Sequence, residues 1–300
     1  VLMLAPDSGS VSREVQGYEG VIASGTKVIE HPASRRRLLS SSGEFLATLA
    51  SAIGSIRTHV VTALCQVTTT MSNLAHNAWA YAKAEGIAEL KGAAAGRPAV
   101  VVSAGPSLAR NIEELSKPGV REKVVIIAAQ TVLKTLLARG IRPHFVTALD
   151  YSEVSARFYE GLSAADVEGI TLVAEPKANP AILRAFPGVV RCPAEPILDE
   201  VLGEGFRREM GEIRSGATVA HLSYYLARHL GCDPVVLVGQ DLGFTDGQYY
   251  SAGAAIHQVW SGELSEFNTL EMMEWQRIAR MRGILHRAKD HLGRNVYTDE

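Results

Sequence analysis

The residues of this chain that could do chemistry gather in two stretches. The first is Ser103-Ala104-Gly105-Pro106-Ser107, a turn of small residues between the apolar run Ala99–Val102 and a helix-favouring segment. A strand feeding a helix through such a turn leaves the first helical N–H groups unpaired and aligned with the peptide dipoles, which suits phosphate. Pro106 fits the first helical position, where its missing donor costs nothing, and Gly105 lets a ligand approach the backbone. The second stretch begins at another helix start, Ser215-Gly216-Ala217-Thr218. It continues through Gly239-Gln240-Asp241 and a polar loop bearing Tyr249 and Tyr250, to His257. Phenols donate hydrogen bonds, while carboxylates and imidazoles move protons near neutral pH. The first turn is neither G-x-G-x-x-G nor a Walker A loop, so it also suits an ordinary βα connection. A look-alike P-loop at Gly20 to Lys27 is set aside, because Thr26 stands between Gly25 and the lysine.

These residues need elements to hold them. After the first turn, apolar runs alternate with helical patterns: strands are expected at 124–128, 144–149 and 170–174, with a helix at 131–139 stopped by Gly140. Strands unbroken by polar residues, each followed by a helix, predict a parallel sheet covered on both faces. Ligands of such sheets bind beyond the carboxyl ends of the strands, which puts the turn, Gln130, Asp150 and Glu175 on one rim. Asp150 also suits an N-cap for a helix over 151–161. Further on, a helix with Val219, Leu222, Leu226 and Leu230 on its buried face precedes a short buried strand, 234–238, that runs into Asp241.

Before Pro98 the pattern is different. Residues 1–43 are rich in Ser and Gly and carry the run Arg35-Arg36-Arg37, so they read as weakly structured or as the remnant of a preceding domain. Residues 44–95 favour helix, with Leu46, Leu49 and Ile53 on one stripe, Leu74, Trp79, Ile87 and Leu90 on another, and a break expected at Gly54. Residues 96–300 form the sheet-bearing domain.

Composition narrows the function classes. Apolar residues make up 47% and charged residues 21%, an ordinary globular balance, and a net charge of −2 argues against a nucleic-acid binder. Cys65, Cys192 and Cys232 are far apart and show no zinc-site spacing, which fits a reducing cytosol and a cytoplasmic setting. The apolar stretch from Phe45 to Ile56 is stopped by Arg57, so no membrane span is expected.

Three blocks carry a family resemblance: S-A-G-P-S-L at the first turn, the segment from Ile126 to Asp150, and the segment from Ser215 to Phe244. Together they resemble the Maf (motility accessory factor) family, and more distantly bacterial sialyltransferases and archaeal hydroxymethyl-dihydropterin pyrophosphokinases. The Maf resemblance, over about 77–298, implies a Rossmann-like nucleotide-sugar-binding domain preceded by a mainly helical segment. It also implies an enzyme that moves a nonulosonic (sialic-acid-like) sugar from a CMP donor to a protein Ser/Thr hydroxyl, such as flagellin, without a metal or further cofactor. On that resemblance Ser103, Ala104, Gly105, Pro106, Ser107 and Gln130 hold the donor nucleotide, with Ser215, Gly216, Thr218 and Gln240 as a second contact. Tyr249 and Tyr250 would stabilise the departing phosphate. His257 is the first candidate for the base, with Asp241 and Asp150 as alternatives; His257 also suits a surface histidine without a chemical part. Two departures stand out: Ala104 replaces the Asn of the sialyltransferase turn, and Tyr250 stands where Maf proteins often carry a His. The chain ends just past the family's G-x-x-V-x-T stretch, Gly293 to Thr298, so a C-terminal part is expected to be absent. The other readings are a pyrophosphokinase using Mg²⁺ and a non-catalytic nucleotide- or carbohydrate-binding module.

Overall fold

The structure, a computed structural model, describes residues 18–27, 29, 32–33, 41–206, 208–214, 216, 218–281, 283–290 and 292–298. The Arg35-Arg36-Arg37 run and Ser215 lie outside the described residues. The chain divides into two compact units, Val1–Thr70 and Met71–Glu300.

In the first unit, α1 (Glu19–Ser24) and α2 (Ser41–Lys83, which continues into the second unit) share a small apolar cluster of Ile22, Leu49 and Ile56. Leu49, Ala52, Ile53 and Ile56 recur at helical spacing, whereas Leu46 is exposed. The break expected at Gly54 does not occur: α2 runs unbroken through it. One glycine costs about 1 kcal/mol relative to alanine, which a 43-residue helix absorbs.

The second unit is built on a six-stranded, all-parallel sheet, ordered β5-β4-β3-β2-β1-β6. Its strands are β1 (Ala99–Val102), β2 (Val125–Ala129), β3 (Phe145–Ala148), β4 (Thr171–Ala174), β5 (Val189–Arg191) and β6 (Val235–Val238). Between them lie α3 (Leu108–Asn111), α4 (Val120–Lys123), α5 (Leu133–Leu137), α6 (Pro180–Ala185), α7 (Pro196–Leu202) and α8 (Val219–His229). After the sheet come α9 (Ala255–Trp260), α10 (Leu270–Arg280) and the antiparallel hairpin β7 (His286–Lys289) and β8 (Asn295–Thr298).

Period-two alternation sorts the core. Val102, Ile126 and Ala128 pack on Leu108, Ile112, Leu115 and Leu136 on one face. Ala99, Val101, Val125 and Ile127 pack on Leu226 and Ala227 of α8 and on Leu230, its C-cap, on the other. Helices thus cover both faces, and the sheet is the expected Rossmann-like α/β arrangement. The end of α2 joins a third cluster through Leu74 and Tyr81, while Trp79 is 68% exposed with Lys83 over its ring. The stripe expected through Trp79 is therefore displaced by two residues toward Tyr81.

Three element expectations need correction. The strand at 234–238 is an edge strand, paired among the described residues with β1 alone, and its Val236 and Leu237 are 46% and 51% exposed. The helix expected over 151–161 is a 3₁₀ stretch, Glu153–Tyr159, and that over 131–139 is a 3₁₀ turn followed by the short α5. β5 was not foreseen, because three residues after Pro187-Gly188 give too short an apolar signal.

Candidate functional site

From β1 the strand order steps outward to β5, and β6 lies on the opposite flank of β1. The order therefore reverses between β1 and β6, the place where open parallel sheets form a crevice at their carboxyl ends. Two turns press together there. Ser103 N–H donates to Val238 O (2.8 Å) and Gly105 N–H to Gly239 O (2.8 Å). A Cβ on Gly105 would stand 2.5 Å from Gly239 O and collide with the Asp241 carboxylate. Gly239, at φ +72°, likewise has no room for a side chain beside Ser103 O. The glycines here serve turn-against-turn packing.

The turn after β1 does not present the open N–H groups expected of it. Ser107 N–H donates to both oxygens of Asp241 (3.2 and 3.1 Å), and Ser107 Oγ donates to Oδ2 (2.9 Å). Asp241 thus occupies the anion position at the Ser107 amide. The amphipathic helix expected behind this turn is only the four-residue α3, followed by a 3₁₀ stretch, Ile112–Ser116.

The loop after Asp241 lies on the same turn. Ser251 N–H donates to Ala104 O (2.7 Å), Thr135 Oγ1 to Gly253 O (2.8 Å), and Phe244 N–H to Tyr297 O (2.8 Å). Tyr249 stacks between Phe244 and Tyr250 at 5.2 and 4.6 Å between ring centroids. Tyr250 meets His257 and Trp260 edge-on at 6.4 and 6.1 Å, and burial pushes its phenol pKa well up. The hydroxyls of Ser103 and Ser251 are buried without hydrogen-bond partners.

His257 is not a surface residue. Its Nε2 lies 2.6 Å from Glu274 Oε1, and the other oxygen of Glu274 accepts Tyr249 N–H at 2.6 Å. Glu274 is 4% exposed, and His257 Nδ1 is buried with no partner. In the neutral ring with Nε2 donating to the carboxylate, Nδ1 carries the lone pair. Glu274 is the residue the sequence reading missed. Its signal was present: it stands between Met273 and Ile278 on the buried stripe of α10, where a carboxylate needs a partner.

Further along the rim, Gln130 is fully buried and its amide is committed: Nε2 donates to Asp150 Oδ2, and Oε1 accepts Tyr159 OH (3.0 Å). Asp150 also accepts Ser155 Oγ (2.9 Å) and caps no helix. At the start of α8 the N-cap is Thr218, whose Oγ1 meets His221 Nδ1 at 2.9 Å and accepts its N–H. Gly216 lies where a Cβ would run into the His221 side chain. Gln240 is half-buried between Gly239 and Asp241. The structure thus brings the first turn, Asp241, Tyr249, Tyr250 and His257 into one neighbourhood. Asp150, held by Gln130, lies close enough to Tyr250 for its charge to add to the upward shift of that phenol, whereas among the described residues no hydrogen bond or ring contact joins Gly216 and Thr218 to this neighbourhood. Glu175, at the end of β4, lines a separate cavity.

Among the described residues, no three His, Cys, Asp or Glu side chains group as a metal site would, and no helix is long and apolar enough to cross a membrane. Residues 69–247 match the profile of a family described as 6-hydroxymethylpterin diphosphokinase MptE-like. Among solved structures, a Maf glycosyltransferase from Magnetospirillum magneticum AMB-1 is similar in fold, with TM-score 0.53 and 19% identity. The similarity covers 98% of this chain and 41% of that one, so the chain spans well under half that protein's length. No curated protein matches.

Proposed function

The chain belongs to the 6-hydroxymethylpterin diphosphokinase MptE-like family, and from that premise we propose that it is the glycosyltransferase variant of the fold. In this reading it moves a nonulosonic sugar from a CMP donor to a Ser or Thr hydroxyl of a protein such as a flagellin. The observation that carries the choice is the His257–Glu274 pair under Tyr249 and Tyr250. It lies beyond residue 247, where the diphosphokinase family match ends, and within the part of the chain that shares its fold with the Maf glycosyltransferase.

The geometry supports the following roles. The crevice between β1 and β6 takes the donor, with its phosphate displacing the Asp241 carboxylate from Ser107 N–H and Oγ. As the sugar–phosphate bond breaks, negative charge grows on the phosphate oxygens, and the Tyr249 and Tyr250 hydroxyls are the donors that meet it. Glu274 holds the His257 ring so that Nδ1 accepts the proton of the acceptor hydroxyl, a contribution of about 10²–10⁴ in rate. Because Nδ1 is buried, the loop over 245–253 must lift from Ala104 to admit the acceptor.

The diphosphokinase reading asks for carboxylates that gather Mg²⁺ between ATP and a pterin. Asp150 is held by Gln130 and Ser155, and Asp241 by Ser107, and among the described residues no three carboxylates, His or Cys gather as a metal site would. The test sets the two chemistries side by side. Turnover of a CMP-nonulosonic acid is expected to survive EDTA, and Tyr250→Phe is expected to lower kcat about tenfold or more with little change in KM. EDTA-sensitive transfer of diphosphate from ATP to a hydroxymethylpterin, without CMP-sugar turnover, overturns the proposal.

A further inference from the structure

The β7–β8 hairpin has no part in the chemistry just described, yet it stands at the root of the loop that does. Phe244 N–H donates to Tyr297 O (2.8 Å), and Thr298 Oγ1 donates to Leu242 O (2.6 Å). The loop over 245–253 follows directly. β8 is thus engaged on its far side, whereas no strand among the described residues pairs with the outer edge of β7.

The phase of the ladder says which groups that edge offers. Tyr297 O points away from β7 toward Phe244, and at the other end of the hairpin Asp290 N–H donates to Arg294 O (2.9 Å). Opposed residues of an antiparallel pair alternate between hydrogen-bonded and non-hydrogen-bonded. Arg287 opposite Tyr297 and Lys289 opposite Asn295 are therefore the non-bonded pairs. The backbone N–H and C=O of Arg287 and Lys289 face outward, and among the described residues no partner meets them. Their side chains share one face, because alternate strand residues do.

Charge marks the same place. From Arg277 to Thr298 the sequence holds five Arg and one Lys against Asp290 alone, in a chain of net charge −2. Asp290 is committed within the turn: Oδ1 accepts the N–H groups of Leu292 and Arg294 (2.9 and 2.8 Å), and Oδ2 accepts from Arg294 Nε (2.7 Å). Arg287 lies over the Tyr297 ring, and Lys289 Nζ donates to Gly293 O (3.1 Å). Neither meets a carboxylate among the described residues. A two-stranded sheet is marginal by itself, and free backbone groups on its edge ask for another extended backbone, which neither a lipid surface nor a nucleic acid supplies. Cations at both open positions turn away a second copy of β7 and favour carboxylates.

We propose that the outer edge of β7 takes an extended protein segment as a third strand, with acidic residues at every second position facing Arg287 and Lys289. Assigning that segment to the acceptor protein rests on the glycosyl-transfer reading above. The hairpin then holds the acceptor beside the loop that must lift for it.

Fluorescence anisotropy on the full chain with three labelled peptides tests this: one alternating Glu with Thr, one alternating Lys with Thr, and the Glu–Thr peptide with every amide N-methylated. The Glu–Thr peptide is expected to bind about tenfold or more tighter than either of the others. Arg287→Glu combined with Lys289→Glu should reverse the order of the Glu–Thr and Lys–Thr peptides, and Lys–Thr binding in that variant shows the edge still folded. Lys289→Glu alone, which keeps Arg287 on the Tyr297 ring, should weaken the Glu–Thr peptide about threefold or more. Equal affinity for the Glu–Thr peptide and its N-methylated form, or an unchanged Glu–Thr affinity in the variants, overturns the proposal. Failure of the Glu–Thr peptide to bind, or binding of phosphatidylglycerol vesicles in its place, overturns it too and leaves the CMP-donor reading standing. Peptide binding as expected, by a chain that turns over no CMP-sugar, upholds the surface and overturns that reading.

Discussion

His144 lies just before β3, and its Nδ1 accepts Ile126 N–H at 3.1 Å, so the folded chain needs this ring neutral. Burial, with Arg121 and Arg97 adding positive charge and Glu122 opposing, brings its pKa down to about 4 from 6.5. Between those values the unfolded chain binds the proton that the folded chain refuses, so stability falls with acidity. The contribution is complete above pH 6.5 and is lost as pH falls through 4. His144→Asn, which keeps an acceptor near the Nδ1 position and removes the titration, should flatten the acid side of a Tm-against-pH curve in that window. An identical acid slope in the variant would show that the proton goes elsewhere.

At the scale of elements, the two turns at the ends of β1 and β6 make a specific claim on Gly105. Gly105→Ala puts a methyl 2.5 Å from Gly239 O and into the Asp241 carboxylate. Overpacking of this kind costs about 1–3 kcal/mol, so the urea midpoint should fall while the m-value holds. A variant at Gly105 therefore disturbs the fold as well as the crevice, and loss of ligand there would be ambiguous; an unchanged midpoint would mean the turns separate freely. The strands β1 to β4 were legible because their residues are apolar on both faces, the pattern a central parallel strand requires. β6 has the same composition, but nothing in a Val-Val-Leu-Val run tells an edge from a centre; only the pairing does. The turn residues were legible as a rim. That Asp241 would turn back onto Ser107, and that Glu274 on α10 would reach His257, are contacts between segments far apart in the chain, which local pattern does not encode.

At the scale of the whole molecule, the sheet ends on two edge strands, β5, which meets Glu85 through a single bridge at Arg191, and β6. Val236 and Leu237 stand about half exposed on a strand whose outer edge pairs with no strand among the described residues, a template for pairing with another chain. Leu237→Lys should therefore reduce concentration-dependent self-association in light scattering. Little burial is lost there, so stability should change by only about 0.5 kcal/mol. Equal scattering from both proteins would show that this edge is not where copies meet. The same strand order governs how the sheet is assembled on the ribosome. As the chain emerges, β2 can pair with β1, β3 with β2, β4 with β3 and β5 with β4, each beside the strand made just before it. β6 must instead return to β1, closing the largest sequence separation in the sheet, and such non-local pairing is the slow kind. Until Val235 to Val238 have been made, Ala99 to Val102 present an uncovered apolar edge, the nascent chain's most exposed invitation to a chaperone or to a wrong partner. The crevice exists only once β6 has docked, so the growing chain has a core before it has a site.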